Sequence, residues 1–305
     1  MPNIPIFLSS DDNYAPFVAT TIASICDNTK SFCEFYILDG GISQENQAKI
    51  CELKKRFNNF EIEFIKIDLE REFKDIEYKN SSKYISISTY NRFLIPKLKP
   101  NIDKCIYLDV DIIVFGDIQK MFDEELSNYV IAAVPETYGA NPLNETILKI
   151  SKTHKYFNPG SLIIDCNLWR KNNIASKLWE IEKKYRKVLK FADMDILNIC
   201  FQNNYKELEA KYCFLNQNYF FSDVSRDIFI RHYNGQIKPW HINFENDVIK
   251  DVDIFWNYAK ITAFYKELVD KASKIDKNEL LRQLRLYKMF NKAQAKKRVE
   301  CMEVN

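Results

Sequence analysis

The stretch CIYLDVDIIVF, residues 105–115, carries two aspartates inside an otherwise apolar run. Read as a strand, it projects Asp109 and Asp111 from one face, with Cα atoms about 6–7 Å apart. Two carboxylates beside an apolar wall repel each other and resist losing water. Two compensations are open. A lysine or arginine could neutralise them as a buried ion pair. Alternatively, a divalent cation could accept both, and oxygen-rich sites suit Mg2+ or Mn2+, which commonly carry diphosphates.

The same Asp-x-Asp spacing recurs at Asp193/Asp195 and Asp251/Asp253. The last pair lies in the polar run NDVIKDVD and reads as a solvated helix start. The chain has three histidines, His154, His232 and His241, and two of them fall in RHYNGQIKPWH, 231–241. An imidazole added to two carboxylates moves metal preference toward Mn2+. Gly235 in that run lets backbone approach a ligand, and Lys238 offers a cation to phosphate. Taken singly, His232 and Trp240 also read as ordinary buried residues. YFNPGSLIID, 156–165, adds Gly160, which lets the chain pass near a ligand, and the Asn158 amide, which can serve sugar hydroxyls or carboxylates. Its competing reading is an ordinary turn before a strand.

Positioning these groups requires a sheet. NIPIFLS (3–9), EFYILD (34–39) and EIEFIKID (61–68) read as strands, separated by the helices FVATTIASICDN and SQENQAKICELKKRF, the second capped by Ser43. That βαβαβ rhythm predicts an α/β fold with a mostly parallel, Rossmann-like sheet and helices on its faces. STYNRFLIPKL (88–98) reads as a short helix ended by Pro96. YVIAAV (129–134) and SLIID (161–165) read as further strands. NLWRKNNIASKLWEIEKKYRKVL reads as one long helix, and DILNICFQ (195–202) as another. Ligands of such sheets sit beyond the carboxyl ends of the strands, which is where Asp11/Asp12 and Asp109/Asp111 fall. The first loop has neither GxGxxG nor GxxxxGK[ST], which argues against dinucleotide and P-loop sites.

The 305 residues, 46% hydrophobic with six glycines and nine prolines, exclude disordered and collagen-like chains. Eight cysteines form no CxxC and several lie in apolar runs, as suits free thiols in a reducing compartment. No signal peptide or membrane span is apparent, so a cytoplasmic protein is expected. Residues 274–298 carry +7 of the net +2, leaving −5 elsewhere.

The stretches FLSSDDNYA, ISISTYNRF, YLDVDIIV, FNPGSLIID, ADMDILN and HYNGQIKPWH occur in that order between residues 4 and 241. Together they resemble glycosyltransferase family 8, particularly its bacterial lipooligosaccharide galactosyltransferase-like branch. The resemblance implies a GT-A fold, a metal-dependent retaining transferase and a UDP-hexose donor, galactose or glucose. It would place Asp11 and Asn13 at the uracil and ribose, and Arg92 near the donor sugar. Asp109, Val110 and Asp111 would line the donor. Asp109 and Asp111 would hold Mn2+, with Mg2+ as the alternative, and His232 would be the third protein ligand. Gly235 and Lys238 would grip phosphates, while Asn158 and Asp193 would bind sugar hydroxyls. Family members typically carry glutamine near the anomeric carbon, where this chain has Met194. A thioether cannot replace an amide's hydrogen bonds.

These assignments make residues 1–250 the nucleotide-sugar-binding catalytic domain and 251–305 a helical, basic tail. NELLRQLRLYKMFNKAQAKKR (278–298) can be drawn as a helix with Leu280, Leu284, Tyr287 and Phe290 on one side and Arg282, Arg285, Lys292 and Lys296 on the other. Met289 spoils the separation. Such a helix can lie on an anionic membrane surface, which would fit a lipid-linked saccharide acceptor and a peripheral place on the inner face of the cytoplasmic membrane. Alternatively, it is a solvated helix packed on the domain. Nothing implies a nucleic-acid partner. The rival functions are a UDP-sugar hydrolase, a nucleotidyltransferase with the same metal site, and a nucleotide-sugar binding protein that has lost turnover.

Overall fold

The computed structural model describes residues 3–73, 87–136, 147–222 and 224–303, without the side chains of 69–70 and 297–303. Ile85 and Ser86 of ISISTYNRF, and the side chains of Lys297 and Arg298, lie outside the described residues.

The expected parallel sheet is present. β1 (Ile4–Ser10), β2 (Cys33–Asp39) and β3 (Phe60–Lys66) pair in parallel, and β1 also pairs in parallel with β4 (Lys104–Leu108). A short β5 (Ile112–Val114) leaves this sheet. β6 (Ile131–Pro135) and β7 (Phe157–Asp165) extend it in antiparallel fashion beside β4, and β8 (Lys206–Glu207) closes the edge. The order is β3-β2-β1-β4-β7-β6-β8. β9 (Phe214–Leu215) and β10 (Ile230–His232) join β5 in a separate three-stranded sheet.

Both faces of the large sheet are covered. Ile4, Ile6 and Leu8 of β1 pack with α1 (Ala15–Asn28), whereas Phe7 points into a second cluster with Tyr107 and Phe157. This alternation is the pleat of a strand buried on both sides. Ser43 caps α2 (Gln44–Cys51), its hydroxyl accepting from the Asn46 N–H at 3.3 Å. The seven described cysteines are free. Among the described residues, no helix is long and apolar enough to cross a membrane.

Several local expectations are corrected. CIYLDVDIIVF is two strands in two sheets, and Asp109–Asp111 is the corner between them. Three hydrogen-bonding neighbours hold the backbone of that corner. The Asp109 N–H donates to the Gly160 carbonyl at 2.8 Å, and the Tyr233 N–H to the Asp111 carbonyl at 2.9 Å. The Thr21 hydroxyl of α1 lies 3.1 Å from the Val110 carbonyl and 2.9 Å from that of Ile112. Pro96 opens a helical turn, Ile95–Leu98, rather than ending one. In a first turn its missing N–H would have had no partner. The long helix splits into Cys166–Lys171 and Ile174–Tyr185 because Asn173 is left-handed, φ 51°. FNPG belongs to β7 and is not a turn before it.

Asp253 lies exposed in the first turn of the helix Val252–Ala259, as expected, whereas Asp251 before it is half-buried. Asp251 accepts from the Tyr219 hydroxyl and lies 3.3 Å from Nε of the buried Arg231. In the last helix, Lys277–Glu303, Leu280 and Leu284 are buried in the same core as β1. That face continues through Tyr287 to Asn291, 1% exposed, so Phe290 falls off it and is 59% exposed. Helical spacing explains the correction, since 280, 284, 287 and 291 share one stripe and 290 does not.

Asn198 fixes the helix Asp193–Cys200 to β7. Its carbonyl accepts the Phe157 N–H at 2.8 Å, and its amide lies 2.9 Å from the carbonyls of Phe157 and Met194. Asn198→Ala leaves buried backbone groups unpaired and should destabilise the protein by about 2–4 kcal/mol, measured by urea unfolding.

Candidate active site at the Asp109–Asp111 corner

The corner brings Asp109, Asp111 and His232 together, each offering a ligand atom within 4.8 Å of the others. Pairing of β10 with β5 sets His232 opposite Ile112, immediately beside Asp111. His232 Nε2 lies 3.1 Å from Asp111 Oδ1 and 3.8 Å from Asp109 Oδ2. The remaining oxygens face cations. Asp109 Oδ1 accepts from Arg92 at 2.9 Å and from the Tyr107 hydroxyl at 3.0 Å. Asp111 Oδ2 accepts from Lys238 Nζ, which also donates to the Tyr233 carbonyl at 2.8 Å. Of the two compensations left open by the sequence, the ion pair with arginine and lysine is present, and beside it lies a cluster that could hold a cation. Each carboxylate uses one oxygen on a lysine or arginine and turns the other toward the imidazole.

Electrostatics follow from that geometry. Burial would raise Asp111, but Lys238 and His232 hold its carboxyl well below the usual range. Burial would lower His232, but Asp111 raises it overall. Arg92 is buried, with its planar fork fully engaged. It donates to the carbonyls of Pro159 (2.7 Å) and Thr89 (3.1 Å), pairs with Asp109 and Asp193, and lies 4.3 Å from the Tyr107 ring centre. Burial pushes Asp193 up to about 6 against the pull of Arg92. Asp193 Oδ1 accepts from the Thr89 hydroxyl. Oδ2 lies 3.1 Å from Arg92 Nε yet has no hydrogen-bond donor, because that N–H serves the Thr89 carbonyl. It is a buried acceptor in need of a donor.

The donor set suits a hard divalent cation, with two carboxylate oxygens and one imidazole. Gly160 forms the cradle's wall. A Cβ there would lie 2.4 Å from His232 Cε1 and 2.7 Å from Asp109 Oδ2. The close packing at Gly160 leaves no room for a side chain there. Gly235 has open space around it and is needed for its positive φ, 84°.

The other candidate residues have these partners. Asp11 caps its own turn, accepting from the Tyr14 N–H at 3.1 Å, and Asn13 is exposed. Burial, then Asp111 and Asp11, push the Tyr14 phenol up to about 12. Both ends of the Asn158 amide are engaged within the protein, its oxygen by the Gly160 N–H (2.9 Å) and its nitrogen on Glu136 (3.0 Å). Met194 packs with the small cluster of Leu148, Ile150 and Tyr156. Asp195 is committed to the Tyr156 hydroxyl and to the N–H groups of Lys190 (2.7 Å) and Phe191 (2.9 Å). Trp240 stacks on Phe17, ring centres 3.5 Å apart, as core. Sequence reasoning missed Tyr107, Thr89, Glu136 and Cys213. Tyr107 could have been found, being two positions before Asp109. Glu136 and Cys213 carry no local signal.

A family model described as Glycosyl transferase family 8 matches residues 5–243. A putative glycosyltransferase of Haemophilus influenzae is 34% identical over 252 residues, covering 77% of this chain and 72% of that protein. An Escherichia coli lipopolysaccharide 1,2-glucosyltransferase is 27% identical over 280 residues, covering 86% and 80%. The galactosyltransferase LgtC, crystallised with donor and acceptor sugar analogues, superposes with a TM-score of 0.75 at 25% identity, covering 85% of this chain and 96% of LgtC.

Gly160→Ala pushes a methyl group into both His232 and Asp109. It should weaken divalent-cation binding by about tenfold or more, read by calorimetric titration with Mn2+.

Proposed function

The chain belongs to glycosyl transferase family 8, and on that premise we propose that it moves galactose or glucose from a UDP-sugar to a saccharide acceptor. The reaction proceeds with retention, and the acceptor belongs to a lipopolysaccharide or other surface glycan. The observation that carries this reading is the donor set at the corner, in which Asp109, Asp111 and His232 converge on the cradle that Gly160 leaves open.

Asp109, Asp111 and His232 would hold Mn2+ or Mg2+. When bound, such an ion offsets the negative charge that develops on the departing diphosphate. Lys238 assists, because an ammonium has three donors and two are engaged by Asp111 and the Tyr233 carbonyl. The third is available to a phosphate oxygen. Asp193, next to Arg92 and the corner, would bind a donor-sugar hydroxyl. Arg92 keeps Asp109 and Asp193 in register, so its role is to position those carboxylates. Asp195 is saturated by three donors and makes a poor nucleophile. We favour retention by attack from the leaving-group face, with the departing phosphate as base. A glycosyl-enzyme adduct trapped by mass spectrometry would overturn that step.

The last helix exposes Leu286, Met289 and Phe290, 53%, 69% and 59% accessible, with Arg285 among them. This surface supports docking on an anionic membrane that carries a lipid-linked acceptor.

Asp109→Asn and Asp111→Asn should each lower Mn2+-dependent UDP release by more than the ~3–4 kcal/mol typical of one transition-state contact, measured across a panel of UDP-sugars with and without acceptor. UDP release indifferent to every acceptor would favour a hydrolase, pyrophosphate release a nucleotidyltransferase, and Mn2+-dependent UDP binding without turnover a binding protein. Removing residues 274–305 should abolish co-flotation with anionic liposomes. Unchanged partitioning would refute membrane docking.

A further inference from the structure

Residues 190–195 carry the chain into the helix Asp193–Cys200 through one outlying backbone position. Ala192 has φ 45° and ψ −115°. The Met194 N–H donates to the Phe191 carbonyl at 2.9 Å, which closes a β-turn over residues 191–194. The Ala192 angles are close to the roughly +60° and −120° of the first central position of a type II′ turn. Glycine belongs there, because a Cβ at positive φ crowds the backbone. Alanine stands there instead, and its side chain cannot cap the helix.

Something must hold the turn. Asp195, fully buried, does so from inside the helix. Its Oδ2 accepts the Lys190 N–H at 2.7 Å and the Phe191 N–H at 2.9 Å, and its Oδ1 accepts from the Tyr156 hydroxyl. The direction of both backbone bonds is fixed, since an amide N–H can only donate. Asn198 holds the far side through the Met194 carbonyl at 2.9 Å. Asp193, the second central residue of the turn, is delivered to Arg92 Nε at 3.1 Å and to the Thr89 hydroxyl. Strained backbone persists only where its surroundings over-determine it, and it clusters at functional sites.

We propose that Ala192 and Asp195 are positioning residues, and that the turn they hold aims the Asp193 carboxylate at the donor sugar. Asp195 supplies the clamp, and Ala192 the bend that a relaxed backbone would lose. With negative φ at residue 192 the chain would enter the helix from another direction, and Asp193 would leave Arg92 and Thr89. The aim at a donor sugar rests on the proposed function above. The strain at Ala192 and its dependence on Asp195 do not.

Two double-mutant cycles test this. In urea unfolding, Ala192→Gly should shift the folding equilibrium toward the native state by about fivefold. The same substitution in Asp195→Ala should gain little, because the released turn is already relaxed. No gain in the wild-type background, or an equal gain in both, overturns the clamp. The second cycle reads kcat/KM for the UDP-sugar donor. Asp195→Ala should lower it by about a hundredfold, as a displaced binding group does. In an Asp193→Asn background the same substitution should cost less than about threefold. A residue that merely stabilises the fold would cost the same in both backgrounds. Additive losses therefore overturn the positioning role, as does a glycosyl adduct trapped on Asp195. Asp195→Asn, which keeps the shape but weakens both N–H contacts, replaces the alanine variant if that fails to fold by circular dichroism. If no UDP-sugar is turned over, the proposed function fails, while the urea cycle still judges the turn.

Discussion

Two like charges held at one sheet-to-sheet corner set the terms for the rest of the site. At about 5 Å and an effective dielectric of 20, two carboxylates repel by about 3 kcal/mol, before any cost of leaving water. The compensating groups come from segments far apart in sequence. Arg92 precedes β4, His232 ends β10, and Lys238 follows the turn at Gly235. The corner is tolerable only when all of these have folded onto it. Its three anchors, the Thr21 hydroxyl and the backbone of Gly160 and Tyr233, draw α1, β7 and the end of β10 to the same point. The large sheet and the small one are joined where the charge is concentrated.

The two cations are not equivalent. Arg92 is held by two carbonyls, two carboxylates and a tyrosine face, a rigid fork matched to fixed partners. It cannot leave Asp109 without abandoning the Pro159 and Thr89 carbonyls, so it belongs to the architecture. Lys238 is a point charge on a flexible stem with two partners. It can share its charge between Asp111 and an incoming anion. A structural ion pair and a ligand-binding cation thus occupy adjacent positions. The oxygens they leave free are the ones that face His232.

How much of this was legible depends on the range of the interactions concerned. β1, β2, β3 and the helices between them announce themselves through local periodicity, because each is decided by its own alternation of apolar residues. The Asp109–Asp111 corner is not legible as a corner. Apolar residues flank it on both sides, and the partners that take β5 into a second sheet, β9 and β10, are two and three residues long with no pattern of their own. The break at Asn173 hides for another reason. The apolar spacing continues through it, and only the tolerance of asparagine for left-handed backbone hints at a stop. Phe290 was misplaced because composition suggested an apolar face where the stripe continues to a polar residue, Asn291. Cys213 is invisible locally, since its partners lie 55 and 19 positions away.

The start of α1 explains why the acidic corner is needed for the proposed donor. Many α/β proteins hold a diphosphate on free N–H groups at the first helix, after a glycine-rich turn. Here that turn is DDNYAP, with no glycine. Pro16 sits in the first helical turn and contributes no N–H, and Ala15 through Cys26 are all buried. Asp11 and Asp12 place negative charge where a phosphate would otherwise approach, and Asp12 is tied to the Ser43 N–H at 2.7 Å. A diphosphate brought to this sheet would meet repulsion at the first strand and must be neutralised elsewhere. Along the carboxyl edge, the next strand is β4. Its end gathers two carboxylates, an imidazole and a lysine that together can hold a cation and the anion it neutralises.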